Sequence, residues 1–216
     1  MTALFVAPGP GRGRQEMHAA EEKAVAPSAG TLPGGLPCGR RSPRGRVRWY
    51  LVHTEPGREQ AICDRVRSIV SPELLRDAFV MRQERWFKRA GTWSIVTAQP
   101  FPEYFFVATP DVVALDRELS RLSFPARIAG AAERAYTPMA DDAQAWFECA
   151  LDANHVLRNS VAVIVDGELH VQKGPLVGQE SRMSRIDRHR RRCTVRVSDA
   201  DGGFSTRMPL DVPFKG

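Results

Sequence analysis

The chain has 216 residues, 43% of them hydrophobic, which is enough for one large domain or two small ones with folded cores. It contains no run of apolar residues long enough to span a bilayer and no apolar segment ahead of a small-residue cleavage site, so neither a membrane span nor a secretory signal is expected, and the expected location is the cytoplasm. A net charge of +6 and a pI near 9.5 favour an anionic partner such as nucleic acid and leave a solvated basic surface open, clustering being what decides; only four of the 31 basic residues are lysines, and base composition alone can enrich Arg.

Residues 1–46 are rich in Gly, Pro, Ala and Arg and show no sustained periodicity, so they are expected to form a disordered basic tail. From Arg48 to Thr54 the residues alternate as in a strand, and Glu55-Pro56-Gly57 ends it. The period then becomes helical. Ala61, Ile62, Val66, Ile69 and Val70 share one face from Arg58 onward, and Ser71-Pro72 stops the helix. Ala78–Trp86 and Thr92–Ala98 read as strands, with Lys88 to Gly91 as a basic hairpin tip.

Next comes an aromatic run broken by proline, Gln99 to Val107. Pro100 and Pro102 lack N–H groups and fix φ, so the chain stays extended and presents Phe101 and Tyr104 at a bend. Phe105, Phe106 and Val107 then read as a short buried strand. A rigid bend of this kind is a packed corner or a partner-binding surface, and aromatics more often pack. Asp111 caps a second amphipathic helix, with Val112, Leu115, Leu119 and Leu122 on one face. A last short strand near Arg127 to Ala129 completes a β-α-β-β-β-α-β order, which is α+β of ferredoxin-like type.

Thr137-Pro138 is expected to open a third helix, Thr137 as N-cap and Pro138 at its first position, running to about Leu151. Beyond it, strands at Val161–Val165, Leu169–Lys173, Glu180–Ile186, Cys193–Val197 and Phe204–Leu210 read as a small β-barrel. Between two of them lies an arginine hairpin, Arg185, Arg188, Arg190, Arg191 and Arg192, with Arg182 just before it. Such density repels itself unless an anion relieves it, which favours phosphate contact.

Enzyme readings find little. The histidines have no HxxxH or HExxH spacing, no Gly-rich phosphate loop or GxSxG elbow occurs, and Cys38, Cys63, Cys149 and Cys193 show no CxxC spacing. A Cys149–His155 pair is conceivable, but a buried helical thiol is the expectation. Asp141-Asp142 reads as charge favouring a helix N-terminus. No catalytic residue, metal or cofactor is expected.

Trp49-Tyr50, His53 to Glu59, and Pro100 to Val107 together resemble the N-terminal (NGN) domain of the NusG family. Asp166-Gly167, Lys173 to Leu176, Gly178 and Glu180 resemble the signature turn of a KOW domain, and Ile186 to Arg191 looks most like the specialised paralogs of the LoaP kind. The likeness runs over residues 47–210, and Glu103 departs from it by standing where the family has Gly. The division it implies is an NGN-like domain at 47–135, a helix and linker at 136–159 and a KOW-like, small SH3-like β-barrel at 160–216.

What the resemblance implies is a transcription elongation and antitermination factor acting at selected operons. Tyr50, Phe101 and Tyr104 would dock on the clamp helices of RNA polymerase. The barrel would recruit RNA, a ribosomal protein or the termination factor Rho. The arginine hairpin favours nascent RNA, a structured leader included, contacted by Arg182, Arg185, Arg188, Arg190, Arg191 and Arg192. The competing reading is a stand-alone or ribosome-associated RNA-binding protein.

Overall fold

A computed structural model describes residues 46–133, 135–200 and 203–213. The expected tail, residues 1–46, lies outside the described residues except for Arg46. β1 (Arg48–His53) leads into α1 (Glu59–Ile69), followed by β2 (Asp77–Phe79), β3 (Arg82–Arg89), β4 (Thr92–Ala98), β5 (Tyr104–Thr109), α2 (Val112–Leu119) and β6 (Arg127–Ile128). After α3 (Asp141–Ala150) come β7 (Val156–Leu157), β8 (Ser160–Val165), β9 (Glu168–Lys173), β10 (Met183–Asp187), β11 (Arg192–Ser198) and β12 (Phe204–Asp211). The architecture is α+β, and among the described residues no helix is long and apolar enough to cross a membrane.

Strand alternation organises the first half. Its sheet runs β2-β5-β1-β6, antiparallel throughout, with Tyr50 opposite Val107 and Leu51 opposite Phe106. Successive side chains point to opposite faces. Tyr50, Val52, Phe105 and Val107 therefore pack against Ile62, Cys63 and Val66 of α1 and Leu115 and Leu119 of α2. Trp49, Phe106 and Ala108 point the other way, onto Trp146 and Phe147 of α3 and Val195, Val197 and Leu210 of the second half. A strand covered on both faces needs no polar alternation, which is why Phe105 to Ala108 form an unbroken buried run. Phe105, Phe106 and Val107 each contribute on the order of 1.5–3 kcal/mol by leaving water.

The second half is a five-stranded sheet, β10-β11-β12-β8-β9, curled into a half-barrel. β9 and β10 are neighbours in sequence yet form no ladder with each other, and a loop with a 3-10 turn at Glu180–Arg182 spans the gap. β12 joins β8 through a short parallel contact, Leu210 beside Ser160 and Asp211 beside Val161. A third sheet, β4-β3-β7, connects the halves, because β7 pairs in parallel with β3.

Four expectations change. The strand expected over Ala78–Trp86 is two strands in different sheets, since the chain crosses from one core to the other at Val80 and Met81. α3 starts at Asp141 rather than at Thr137-Pro138, because the N–H of Met139 donates to Trp49 O at 2.8 Å and holds the segment extended along β1. The strand expected from Glu180 begins at Met183, after the 3-10 turn. Cys149 is exposed, because the buried stripe of α3 is Ala143, Trp146, Phe147 and Ala150 and position 149 falls outside it.

Candidate functional site

The aromatic bend is built from backbone hydrogen bonds. Its turn ends at Glu103, whose φ is +69°, the left-handed region that Gly enters without penalty. The conformation is held from three sides. Glu103 N–H donates to Oε1 of Glu59 at 2.9 Å, Thr54 N–H donates to Glu103 O at 2.9 Å, and Tyr104 N–H donates to Phe101 O at 3.3 Å. Glu59, the first residue of α1, is buried while serving this role. His53 Nε2 lies 3.6 Å from Glu103 Oε2, and its ring meets Tyr104 edge-on at 5.2 Å.

The three expected docking aromatics are therefore not equivalent. Phe101 is half-buried, its ring edge-on to Phe106 at 5.5 Å. Tyr104 is half-buried beside His53. Tyr50 is 8% exposed within the core beneath α1 and α2, where burial pushes its phenol above the ordinary value, Arg48 opposing and Asp111 adding. Phe101 and Tyr104 share the bend, whereas Tyr50 points into the layer below it.

The arginine hairpin joins β10 to β11, and its six arginines also separate. Arg182 donates to the carbonyls of Arg196 and Val197 at 3.3 and 3.4 Å. Asp187 accepts the Arg190 N–H at 3.0 Å and lies 3.9 Å from Arg190 Nε and 3.7 Å from Arg192 Nε. Arg191 turns inward, its guanidinium carbon 4.3 Å from the Trp86 ring centroid and 5.3 Å from that of Trp93, with Asp211 at 3.2 Å. Arg185, at φ +47° on an irregular stretch of β10, and Arg188 are exposed, and among the described residues neither meets a carboxylate. The hairpin's self-repulsion is thus partly relieved within the chain, by Asp187, Asp211 and two indoles.

The glycine-marked turn has its own logic. A Cβ on Gly174, at φ +97°, would sit 2.6 Å from Asn159 O and 2.7 Å from Ser160 Cα, so no side chain fits. Leu176 is fully buried and its N–H donates to Ser160 Oγ, while Glu180 accepts the Val171 N–H at 3.0 Å on the unpaired edge of β9. Asp166 and Gly167, at φ +51° and +84°, close the β8–β9 hairpin.

The sequence reading did not single out most of the residues that join the halves, and it read Asp142 as charge at a helix N-terminus. Trp86 Nε1–H donates to Asn159 Oδ1 at 3.0 Å. Glu84 accepts from Asn159 N–H at 2.7 Å and from Arg158 at 2.9 Å, and Gln83 donates to Arg207 O. From α3, Asp142 accepts from the Ser198 hydroxyl at 2.7 Å and the Asp199 N–H at 2.8 Å, and Gln144 accepts the Trp49 N–H at 3.0 Å. The one sequence signal was aromatic and basic residues interleaved around the hairpin tip, Trp86, Lys88 and Trp93.

Three groups capable of covalent chemistry, Cys63, Cys193 and His155, are otherwise engaged. Burial pushes the thiols of Cys63 and Cys193 up to about 12, so neither is a ready nucleophile. His155 lies 3.1 Å from Asp77 and stacks on Phe79 at 3.9 Å. Among the described residues no cluster of three or more His, Cys, Asp or Glu side chains could hold a metal ion. No known family model matches the chain, and no curated protein matches it.

Proposed function

We propose that the protein is a transcription elongation factor of NusG type that binds RNA polymerase, promotes processive antitermination at selected operons and contacts nascent RNA through the β10–β11 hairpin. The observation that carries this reading is topological. The order β2-β5-β1-β6 with α1 and α2 on one face is that of a split βαβ, ferredoxin-like unit, into which β3 and β4 are inserted as a hairpin. It is followed by a half-barrel whose Gly174 turn leaves no space for a Cβ, in keeping with the KOW-like motif. Fold likeness alone does not assign function, so the test of this reading is made at the sites.

On this reading Phe101 and Tyr104 form the polymerase-facing edge, and Tyr50 belongs to the core on the other face of the sheet. The mechanism is mechanical. A protein that binds the elongating conformation more tightly than the paused one lowers the paused population by that difference in affinity. No catalytic residue takes part, and the protein acts as a binding factor rather than an enzyme.

Burial of Tyr50 favours a second reading, because it reduces the aromatic surface left for a polymerase. In that case the chain is a stand-alone or ribosome-associated RNA-binding protein. Binding of the full chain to purified core RNA polymerase, competed by an isolated clamp-helix fragment, separates the two. Competed binding that Tyr104→Ala weakens supports the elongation factor. A folded protein that binds RNA and not polymerase at micromolar concentration supports the other.

A further inference from the structure

Two basic hairpins, distant in sequence, meet in space. The β3–β4 hairpin carries Arg82, Arg85, Lys88 and Arg89, and its Glu84 is occupied by Arg158 and Asn159. The β10–β11 hairpin carries Arg185, Arg188, Arg190, Arg191 and Arg192 against Asp187. Lys88 pairs across the ladder with Trp93, and its Nζ lies 5.7 Å from that ring's centroid. Arg191, from the other hairpin, lies 5.3 Å from the same ring. One indole therefore has a cation from each hairpin beside it.

The joint between the hairpins is fixed as well as close. Besides the Arg191 contacts between them, Gln83 of β3 donates to Arg207 O of β12, the strand beside β11, and Trp86 and Glu84 of β3 are tied to Asn159 and Arg158 just before β8. Among the described residues Arg85, Lys88, Arg89, Arg185 and Arg188 pair with no carboxylate, and all five are exposed. Like charges held together in a rigid frame raise the local positive potential, and an anion relieves it. Arg191 lies over Trp86, and Arg191 and Lys88 both lie beside Trp93, which leaves these half-buried rings less ring surface for base stacking. The surface that remains is suited to phosphates, and two rigid basic prongs suit the paired backbones of a helical stem better than one flexible strand.

We propose that the β3–β4 and β10–β11 hairpins form one phosphate-binding surface for a base-paired RNA stem, with Lys88, Arg89, Arg185 and Arg188 as contacts and Arg191 as the residue that positions the two hairpins. This rests on the reading that the protein engages RNA, and it extends the contact surface from one hairpin to both halves of the chain.

The test is fluorescence anisotropy of the full chain against an RNA hairpin with a continuous stem, across a salt titration. A DNA hairpin of the same sequence and an unstructured oligouridine of equal charge serve as comparison probes. Removing one phosphate-neutralising side chain lowers the slope of log K against log salt by about 0.9. Lys88→Ala with Arg89→Ala, and separately Arg185→Ala with Arg188→Ala, are each expected to weaken stem binding and reduce the slope by about 2. Arg191→Met retains a chain to cover the indoles; it is expected to weaken stem binding with the slope unchanged, since its guanidinium neutralises no phosphate.

Unchanged affinity and slope in a folded Lys88/Arg89 variant, with weakened binding in the Arg185/Arg188 variant, overturns the two-hairpin surface and leaves RNA binding by one hairpin standing. Failure of the wild-type chain to bind any RNA probe overturns the RNA reading and this proposal with it. Oligouridine or the DNA hairpin binding as tightly as the RNA stem overturns the assigned occupant. A slope reduced by about 0.9 in Arg191→Met makes Arg191 a phosphate ligand and overturns its positioning role.

Discussion

The N–H of Glu103 donates to the carboxylate of Glu59 at 2.9 Å, so the bend that carries Phe101 and Tyr104 is anchored on the first residue of α1. Glu59→Ala removes a charged acceptor and is expected to cost about 1.5–3 kcal/mol, whereas Glu59→Gln keeps an acceptor oxygen and costs less. Urea denaturation of both variants checks the order. Equal losses would mean that the carboxylate charge, rather than the hydrogen bond, fixes the bend.

Glu103→Gly is expected to stabilise the chain by about 0.5–1 kcal/mol. The left-handed conformation costs an ordinary residue roughly 1–2 kcal/mol. Part of that gain is offset by the entropy Gly loses on folding and by an exposed His53 contact worth under about 1 kcal/mol. A denaturant midpoint that falls instead would show that the Glu103 side chain contributes more than the strain it imposes.

Gly174 and Gly178 both have positive φ, but only Gly174 lacks room for a Cβ. Gly178→Ala is expected to cost about 1 kcal/mol, for the backbone alone. Gly174→Ala adds a collision with the backbone of Asn159 and Ser160 and is expected to cost about 3 kcal/mol or more. Thermal unfolding of the two variants gives the comparison, and similar losses would place the constraint in the dihedral and not in the packing.

Three carboxyls are held below the ordinary range. For Asp77 the main cause is the His155 hydrogen bond. Burial opposes ionisation of Asp142 and Asp152, but the hydrogen bonds each accepts outweigh it, from Asp199, Ser198 and Ala143 in one case and from Val156, Arg158 and Asn154 in the other. Each contributes stability that is complete above the unfolded carboxylate pKa of about 3.9 and is lost as pH falls through the lower folded value. Stability measured against pH should therefore drop on the acid side of about pH 4. Asp152→Asn should lower it at neutral pH and flatten that acid limb; an acid limb as steep as the wild type's would remove Asp152 from the account.

In a Cys38→Ser background, a small thiol reagent is expected to modify Cys149 alone under native conditions, and Cys63 and Cys193 only after unfolding. Mass spectrometry of the modified protein identifies the sites. Rapid native labelling of Cys193 would show that the half-barrel opens readily.

Local patterns carried much of the fold. Asp111 followed by Val112, Leu115 and Leu119 specified α2, and the Asp111 carboxylate does accept the Val113 and Ala114 N–H groups. The bounds of β4 were readable because Thr92–Ala98 is flanked by Gly91 and Pro100. What escaped were features created by contacts across the chain. α3 starts late because Met139 is hydrogen-bonded to Trp49, and a two-residue strand such as β7 has no period to detect. The arginine hairpin was visible as charge, but its division into inward and outward members depends on Trp86, Trp93 and Asp211, which no spacing within the hairpin can reveal.

Trp49, Phe79 and Phe106 lie under α3 and against Val195, Met208 and Leu210, so the first sheet has no face left to meet water alone. For evolution this makes the chain hard to recombine at its middle. A C-terminal half borrowed from another protein would have to bring a matching lid for that sheet as well as its own surface, so the two halves are expected to be inherited, and to diverge, as one block.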